Sequence, residues 1–283
     1  MSEIVQLSGQ RVGAYAACVG GADSQEMDTV NGFFEPMEKL VSYFAAQVRK
    51  DARLAGGFDA VGLSQGNLII RGYVEMYNDP PVRRFISIHG PLAGTGSLPQ
   101  CDPDSFAAPL CRKATDLVGE AAYLPAVQRH IAQSNYLKDP TMLLKYKRYN
   151  TFLPVINNEV PHARSREFKA RFASLDRLVL VKAEGDTMIF PKEAEWFGFF
   201  RDGSFDTVLP MNQTEAYLED SFGLKTLDSQ GKIRFATTKG NHLRFSLQEL
   251  YALLDKHLKD AEAPAPALRG AQDDALRQEL VLA

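Results

Sequence analysis

Apolar residues along the chain follow two different patterns. The first consists of short, mostly apolar runs of strand length, at 15–19, 60–62, 85–88, 178–181 and 233–236. The second has apolar residues spaced three or four apart, over 33–50 and Leu247–Leu258. Short apolar runs are typical of buried strands, and the wider spacing is typical of amphipathic helices. Because the two patterns alternate, we predict an α/β fold with a mostly parallel sheet covered by helices.

Two segments depart from this alternation. Residues from about 94 to 171 contain helix-like pieces at 123–133 and 141–149 and no good strand, which predicts a helical insertion after the strand ending near Ile88. Its many apolar residues predict either a lid or binding groove, or ordinary packing of a helical subdomain. Residues 261–283, with Pro264, Pro266 and alternating charges, predict a disordered tail. Residues 1–260 are then a single domain.

The segment Gly62-Leu63-Ser64-Gln65-Gly66 lies between a predicted strand and a predicted helix. Gly-x-Ser-x-Gly at such a junction is typical of a nucleophile elbow, a strained turn that requires small residues on both sides of the serine. The start of the following helix favours negative charge developing beside the serine. The alternative is a glycine-rich turn that holds an ordinary serine.

A serine nucleophile requires a base and an acid, and chain order restricts the candidates. In the α/β-hydrolase fold the order is serine, acid, histidine. Asp186 follows the apolar run 178–181, and Glu184 is the second candidate acid. His242 lies between a strand and the last helix, where this fold carries its base. His257 lies within the helical pattern and is expected at the surface, and His89 precedes the acid.

Composition narrows the class of protein. Hydrophobic residues make up 45% and charged residues 24% of the chain, as in ordinary globular proteins. A net charge of -3 provides no basic field for nucleic acid. There is no run of eighteen apolar residues, so no transmembrane segment is predicted. No motif indicates a metal or an organic cofactor. Cys101 and Cys111 form either a small disulfide loop or two free thiols, and Cys18 is expected in the core.

Several sequence blocks together resemble the palmitoyl-protein thioesterase family, lysosomal enzymes that remove fatty acyl groups from protein cysteines. The resemblance extends from about residue 15 to 257. The blocks are 62–66, 85–91, 98–101 with 111–113, 135–140, 149–153, 195–199, 222–225 and 240–243. The most distinctive are Glu-Trp-Phe-Gly-Phe at 195–199 and Phe-Gly-Leu-Lys at 222–225. The resemblance implies an α/β-hydrolase fold.

The resemblance also implies an activity and its residues. Ser64 would be the nucleophile, Asp186 the acid, His242 the base, and the backbone N–H of Gln65 an oxyanion donor. The reaction would be hydrolysis of the thioester between long-chain fatty acyl groups and protein cysteines, through an acyl-enzyme and without a cofactor. S-acylated proteins or long-chain acyl thioesters would be substrates, with the apolar insertion holding the acyl chain. The alternatives are a lipase or carboxylesterase of the same fold, or a non-catalytic acyl-binding pseudoenzyme.

Family membership would add modifications and a compartment. It implies a Cys101–Cys111 disulfide, glycosylation, for which Asn212-Gln213-Thr214 is the candidate sequon, and residence in the lysosome or secretory pathway. Asn241 stands where the family usually has aspartate.

The start of the given chain departs from the family pattern. It has no signal peptide and no strand ending in a His-Gly-Met-Gly-Asp-like loop, which supplies the family's second oxyanion donor. The missing strand is central in this fold, so its absence would open the core. We therefore expect either a sequence lacking a 5′ exon, or residues 3–7 filling part of the gap in a weakened or inactive enzyme.

Overall fold

The computed structural model describes residues 2–20, 24–97, 109–110, 121–259 and 279–283. Its helices are α1 (Ser2–Val12), α2 (Gln25–Phe34), α3 (Met37–Lys50), α4 (Gly66–Met76), α5 (Pro125–Gln128), α6 (Leu143–Tyr149), α7 (Leu153–Ile156), α8 (Ser165–Ala173), α9 (Glu215–Leu218), α10 (Leu224–Ser229) and α11 (Leu247–Leu258). Its strands are β1 (Tyr15–Cys18), β2 (Phe58–Leu63), β3 (Val82–Ile88), β4 (Arg177–Ala183), β5 (Phe199–Phe200), β6 (Val208–Leu209), β7 (Ile233–Thr238) and β8 (Glu279–Leu282). Short 3-10 helices connect several of these elements.

Six strands form one sheet in the order β1-β8-β2-β3-β4-β7, and every neighbouring pair is parallel. The inner strands β2 and β4 are almost entirely buried, as expected for a parallel sheet covered on both faces. Between β3 and β4 the described residues form helices and one isolated bridge, with no paired strand. The predicted α/β-hydrolase class, with a mostly parallel sheet and a helical insertion after Ile88, is confirmed.

Helices cover both faces of the sheet. On one face α3 contributes a buried apolar stripe formed by Met37, Leu40, Val41, Phe44, Ala45 and Val48. On the other face α11 packs against α1, where Val5 joins Leu250 and Leu254 in one cluster. The single helix predicted over 33–50 is interrupted at Pro36, because proline lacks the N–H of a helix interior and disfavours helical backbone before it.

The centre of the sheet is completed by residues from the far end of the chain. Strand β8 lies between β1 and β2, so that Val281 pairs with Ala17 on one side and with Ala60 on the other. Leu280, Val281 and Leu282 are each at most 2% exposed. The disordered tail predicted for 261–283 is therefore wrong at 279–283, where the apolar run Leu-Val-Leu forms a buried strand; residues 260–278 lie outside the described residues.

Strand β8 also changes the expectation of an open core. It occupies the position beside the elbow strand that the first part of the sequence does not fill. Residues 3–7 belong to helix α1 and take no part in the sheet. Within the described segments, no helix combines the length and apolar character needed to cross a bilayer.

Helix α4, which follows the elbow, is fixed to the loops around it by a buried arginine. Arg71 is fully buried, and its Nε donates to Glu75 Oε1 at 2.8 Å. Its Nη1 donates to the carbonyl oxygen of Leu92 at 2.7 Å, and its guanidinium lies 4.2 Å from the centre of the Phe222 ring. Because a buried charge requires partners, these contacts hold α4 in one position relative to the surrounding loops.

Candidate active site

The predicted elbow joins the end of β2 to the start of α4. Ser64 has a positive φ of 51°, the strained conformation expected of an elbow residue. Side chains are excluded on both sides of the serine. A Cβ at Gly62 would lie 2.3 Å from Oδ1 of Asn67, and one at Gly66 would lie 2.4 Å from the carbonyl carbon of Ala283. The motif therefore requires both glycines for lack of space.

Asn67 holds the elbow against the neighbouring strand. Its buried Nδ2 donates to the carbonyl oxygens of Ser64 and Ile88, each at 2.9 Å. The backbone N–H of Ser64 donates to the same Ile88 oxygen at 3.1 Å. The serine backbone is thus tied to the end of β3, which compensates the strain of its conformation.

The structure brings together the three side chains that chain order selected. His242 Nε2 lies 2.8 Å from Ser64 Oγ, and His242 Nδ1 lies 2.6 Å from Asp186 Oδ2. Asp186 and His242 are 9% and 8% exposed. Glu184, the second candidate acid, is exposed and accepts a hydrogen bond from Thr237 Oγ1. A hydroxyl, an imidazole and a carboxylate within hydrogen-bond reach can activate the hydroxyl for nucleophilic attack.

The loop after β4 prepares Asp186 to remain ionised. Burial alone would raise the pKa of Asp186, but the hydrogen bonds from His242 and from the backbone outweigh it and lower the pKa. The backbone N–H groups of Met188 and Ile189 donate to Asp186 Oδ1 at 2.7 and 2.8 Å. These bonds leave Oδ2 directed at the imidazole, so the carboxylate is fixed in both charge and orientation.

Asn241 connects the acid loop to the histidine loop. Its Oδ1 accepts hydrogen bonds from the backbone N–H groups of His242 and Thr187, at 2.7 and 3.0 Å. Its Nδ2 donates to Thr187 Oγ1 at 3.0 Å. An aspartate would supply the same accepting oxygen, so asparagine at this position preserves the link between the two loops.

His89, rejected as the base because it precedes the acid, supports the histidine loop. It is fully buried, its Nδ1 accepts from the backbone N–H of Leu243 at 3.0 Å, and its Nε2 lies 2.8 Å from Thr238 Oγ1. These partners require the neutral ring, with its proton on Nε2. Burial, with a smaller contribution from nearby His242, lowers the pKa of His89 to about 4.

We expect His89 to make the fold less stable in acid. The unfolded chain takes up this proton below about pH 6.5, whereas the folded chain does not until about pH 4, so stability is complete above pH 6.5 and falls between these values. The free energy of unfolding should fall by about 2 kcal/mol from pH 7 to pH 5 through this group. Urea titrations of wild type and His89→Gln at both pH values measure it. An equal acid loss in the two proteins would contradict this assignment.

The backbone N–H of Gln65 is free to bind a substrate oxygen, as far as the described residues show. It makes no hydrogen bond to any of them and lies at the start of α4. The Gln65 side chain is held on several sides. Its Nε2 donates to the carbonyl oxygen of Gly32 at 2.8 Å, and its Oε1 accepts from Tyr136 Oη at 3.0 Å. The insertion thus contacts the residue beside the serine.

Most apolar residues of the insertion pack in the main core rather than along an open groove. Among the apolar residues of the insertion that suggested a groove, the buried ones are Tyr123, Tyr136, Leu137, Phe152, Leu153 and Ile156. Leu124 and Leu144 are 57% and 88% exposed. For the described part of the insertion, the packing interpretation therefore accounts for most of these side chains.

The remaining candidate residues have different outcomes. Cys101 and Cys111 lie outside the described residues. Asn212 is exposed in a 3-10 helix, Met211–Gln213. Two minor expectations are wrong: Cys18 is exposed on the edge strand β1, and His257 is buried at 3% exposure. Over the described ranges, no group of three or more His, Cys, Asp or Glu residues is arranged to hold a metal ion.

Comparison with known proteins identifies the family. The sequence model described as "Palmitoyl protein thioesterase" matches residues 1–242. Palmitoyl-protein thioesterase 1 of Caenorhabditis elegans is 36% identical over 82% of this chain and 76% of its own. The chain belongs to the palmitoyl protein thioesterase family. It is thus a member of a family of thioesterases, enzymes of the hydrolase class.

Similar proteins of the family also occur in other organisms. Palmitoyl-protein thioesterase 3 of Dictyostelium discoideum is 35% identical over 75% of this chain and 70% of its own. Lysosomal thioesterase PPT2-B of Xenopus laevis is 31% identical over 78% of this chain and 75% of its own. Among solved structures, a pyrethroid hydrolase aligns over 90% of each chain with a TM-score of 0.40 and 12% identity, which is a low similarity.

Proposed function

We propose that this family member hydrolyses the thioester between a long-chain fatty acyl group and a protein cysteine, with Ser64, His242 and Asp186 as its catalytic triad. The observation that carries the proposal is the continuous hydrogen-bonded line from Ser64 Oγ through the His242 ring to Asp186 Oδ2, at 2.8 and 2.6 Å. Family membership supports the thioester as the bond that is cleaved.

In the first half of the reaction Ser64 Oγ attacks the carbonyl carbon while its proton passes to His242 Nε2. The oxygen of the resulting tetrahedral intermediate accepts a hydrogen bond from the backbone N–H of Gln65, aided by the start of α4. The carbon–sulfur bond then breaks, and the thiolate takes the proton from His242. The fatty acyl group remains as an ester on Ser64.

In the second half a water molecule gives a proton to His242 Nε2 and attacks the acyl ester. The carbon–oxygen bond to Ser64 breaks, and the serine oxygen recovers the proton as the fatty acid leaves. Through both halves Asp186 remains ionised and stabilises the positive charge that forms on the imidazole. Its two backbone N–H bonds support this role.

An exposed aromatic cluster near the acid loop supports an apolar acyl substrate. Phe190, four residues beyond Asp186, lies 4.9 Å from the ring centre of Phe200, which lies 5.1 Å from that of Phe205. Phe190 and Phe205 are 46% and 39% exposed. An acyl chain offers no polar handle, so such apolar surface is what can bind it.

We also propose residence in the lysosome, as in the relatives named lysosomal thioesterases. A Cys101–Cys111 disulfide and a glycan on Asn212 belong to this proposal, because both require passage through an oxidising secretory compartment. The exposed position of Asn212 supports the second.

The thioester proposal predicts selective hydrolysis of the carbon–sulfur bond. A peptide carrying palmitoyl-cysteine should be hydrolysed at least tenfold faster than the same peptide carrying palmitoyl-serine, since a thiolate leaves more readily than an alkoxide. Initial rates of free palmitate release on the two matched peptides measure this. Equal rates would indicate a general esterase, and palmitate binding without turnover would indicate an acyl-binding protein instead.

A further inference from the structure

Glu195 is a buried carboxyl directly behind the acid of the site. It lies in the 3-10 helix Lys192–Trp196 and is 0% exposed. Its Oε2 accepts a hydrogen bond from the backbone N–H of Ala183 at 2.9 Å, at the end of β4 where the chain turns toward Asp186. The catalytic scheme above gives Glu195 no role, so its burial requires another explanation.

The other oxygen of Glu195 has no donor to bind. Within the described residues Oε1 is buried and receives no hydrogen bond. The side chain of Glu195 is also within hydrogen-bond reach of the side chain of Asp186. Two carboxylates in contact cannot both be ionised in a buried site, so one proton must lie between them.

The partners of the two carboxyls decide which one carries that proton. Asp186 accepts hydrogen bonds from Met188, Ile189 and His242, all of which favour its charged form. Among the described residues, the one hydrogen bond that Glu195 accepts comes from the backbone N–H of Ala183. Burial first, and the charge of Asp186 second, raise the pKa of Glu195 well above its ordinary value.

The charged groups around Glu195 do not offset this preference. Lys182, on β4, is the cation that acts on it, and it is directed to other partners. Lys182 Nζ lies 3.6 Å from Glu193 and 4.2 Å from the centre of the Trp196 ring. His242 faces Asp186 rather than Glu195.

We propose that Glu195 is a positioning residue that stays protonated and donates a hydrogen bond to Asp186, which holds the carboxylate toward His242. This inference rests on the proposed function, since it assigns Asp186 as the triad acid. Glu195 does not touch substrate and acts through Asp186. A neutral donor at this point fixes the carboxylate without adding a second negative charge beside the imidazole.

Two substitutions separate the effect of the hydrogen bond that Glu195 donates from the effect of its side-chain volume. Glu195→Met keeps the volume and removes the donor, and should lower kcat about 10- to 100-fold at unchanged KM, the effect of losing a hydrogen bond to a charged group. Without the donor, Asp186 holds the imidazolium more strongly, so the acid limb of the kcat/KM profile should move up by about half a pH unit. Glu195→Gln keeps both an acceptor for Ala183 and a donor for Asp186. It should recover kcat to within about threefold and leave the profile in place.

Glu193→Gln is the matched control, because it removes a charge from the same 3-10 helix without contact to Asp186 and should match wild type. If Glu195→Met matches wild type, or if Glu195→Gln is as impaired as Glu195→Met, Glu195 is not the donor. A downward shift of the profile in Glu195→Gln would mean that Glu195 is ionised, and would also overturn the proposal.

An infrared difference spectrum tests the proton independently of turnover. Wild type minus Glu195→Gln at neutral pH should contain the carbonyl band of a protonated carboxyl, and a carboxylate band in its place would contradict the inference. This measurement does not require Glu195→Met, so it tests the inference even if that variant fails to fold. If wild type hydrolyses no thioester but the carbonyl band of protonated Glu195 is present, the proposed function is wrong. The hydrogen bond from Glu195 to Asp186 is then still supported.

Discussion

Replacing Ser64 with alanine is expected to reduce kcat/KM on a palmitoyl-cysteine peptide by at least about 10⁴-fold, because the proposed acyl-enzyme forms on this hydroxyl. The hydroxyl that is lost makes the 2.8 Å contact with His242 Nε2, and Ser64 is only partly buried. The fold should therefore remain intact. Fluorophosphonate labelling, which requires the same activated oxygen, should disappear together with turnover.

The control for this variant is Ser174→Ala, an exposed serine whose hydroxyl donates to the carbonyl oxygen of Arg171. It should keep wild-type rates and labelling. His242→Ala should be about as inactive as Ser64→Ala, and combining the two should add little, since residues of a triad act as one unit. Residual turnover close to wild type in Ser64→Ala would assign the nucleophile to another residue.

The second large effect is expected on the stability of the fold, through strand β8. Val281 is fully buried and paired on both sides, so Val281→Asp places an unpaired charge inside the sheet. We expect a loss of more than about 4 kcal/mol of unfolding free energy, a large share of the stability of an ordinary domain. Chemical denaturation followed by tryptophan fluorescence and circular dichroism measures the loss.

Val208→Asp is the matched control, because Val208 is 37% exposed in the small sheet formed by β5 and β6. It should cost less than about 1 kcal/mol. Removing residues 279–283 should be at least as damaging as Val281→Asp, and a peptide of residues 271–283 added to the shortened chain should restore part of the structure. A shortened chain that melts at the wild-type temperature would show that the sheet does not need β8.

The sequence predicted what depends on local pattern and chain order. Apolar runs located β2, β3 and β4 because buried parallel strands are rich in apolar residues. A mostly apolar run also located β7, although this edge strand is largely exposed. Chain order placed Ser64, Asp186 and His242 after the strands that the structure shows as β2, β4 and β7, and the structure brings these side chains within hydrogen-bond distance. The break at Pro36 was not predicted: the apolar spacing over 33–50 was taken as one helix, whereas the structure ends one helix at Phe34 and begins the next at Met37.

What the sequence did not predict depends on contacts between distant segments. Leu280-Val281-Leu282 is too short to stand out beyond a tail rich in proline and charge, and becomes a strand only in the space between β1 and β2. The roles of His89 and Glu195 follow from the groups that they face, which no spacing along the chain reports. The block Glu-Trp-Phe-Gly-Phe was the one available signal for Glu195.

The late position of strand β8 in the chain delays completion of the sheet during synthesis. The elbow strand β2 leaves the ribosome about 200 residues before the strand that must lie beside it. At roughly 5–20 residues per second, that interval lasts about 10–40 s. During this time one edge of β2 is available to other chains, and such unpaired edges favour aggregation. A nascent chain of this protein therefore depends more on chaperones than a hydrolase whose central strands are made in succession.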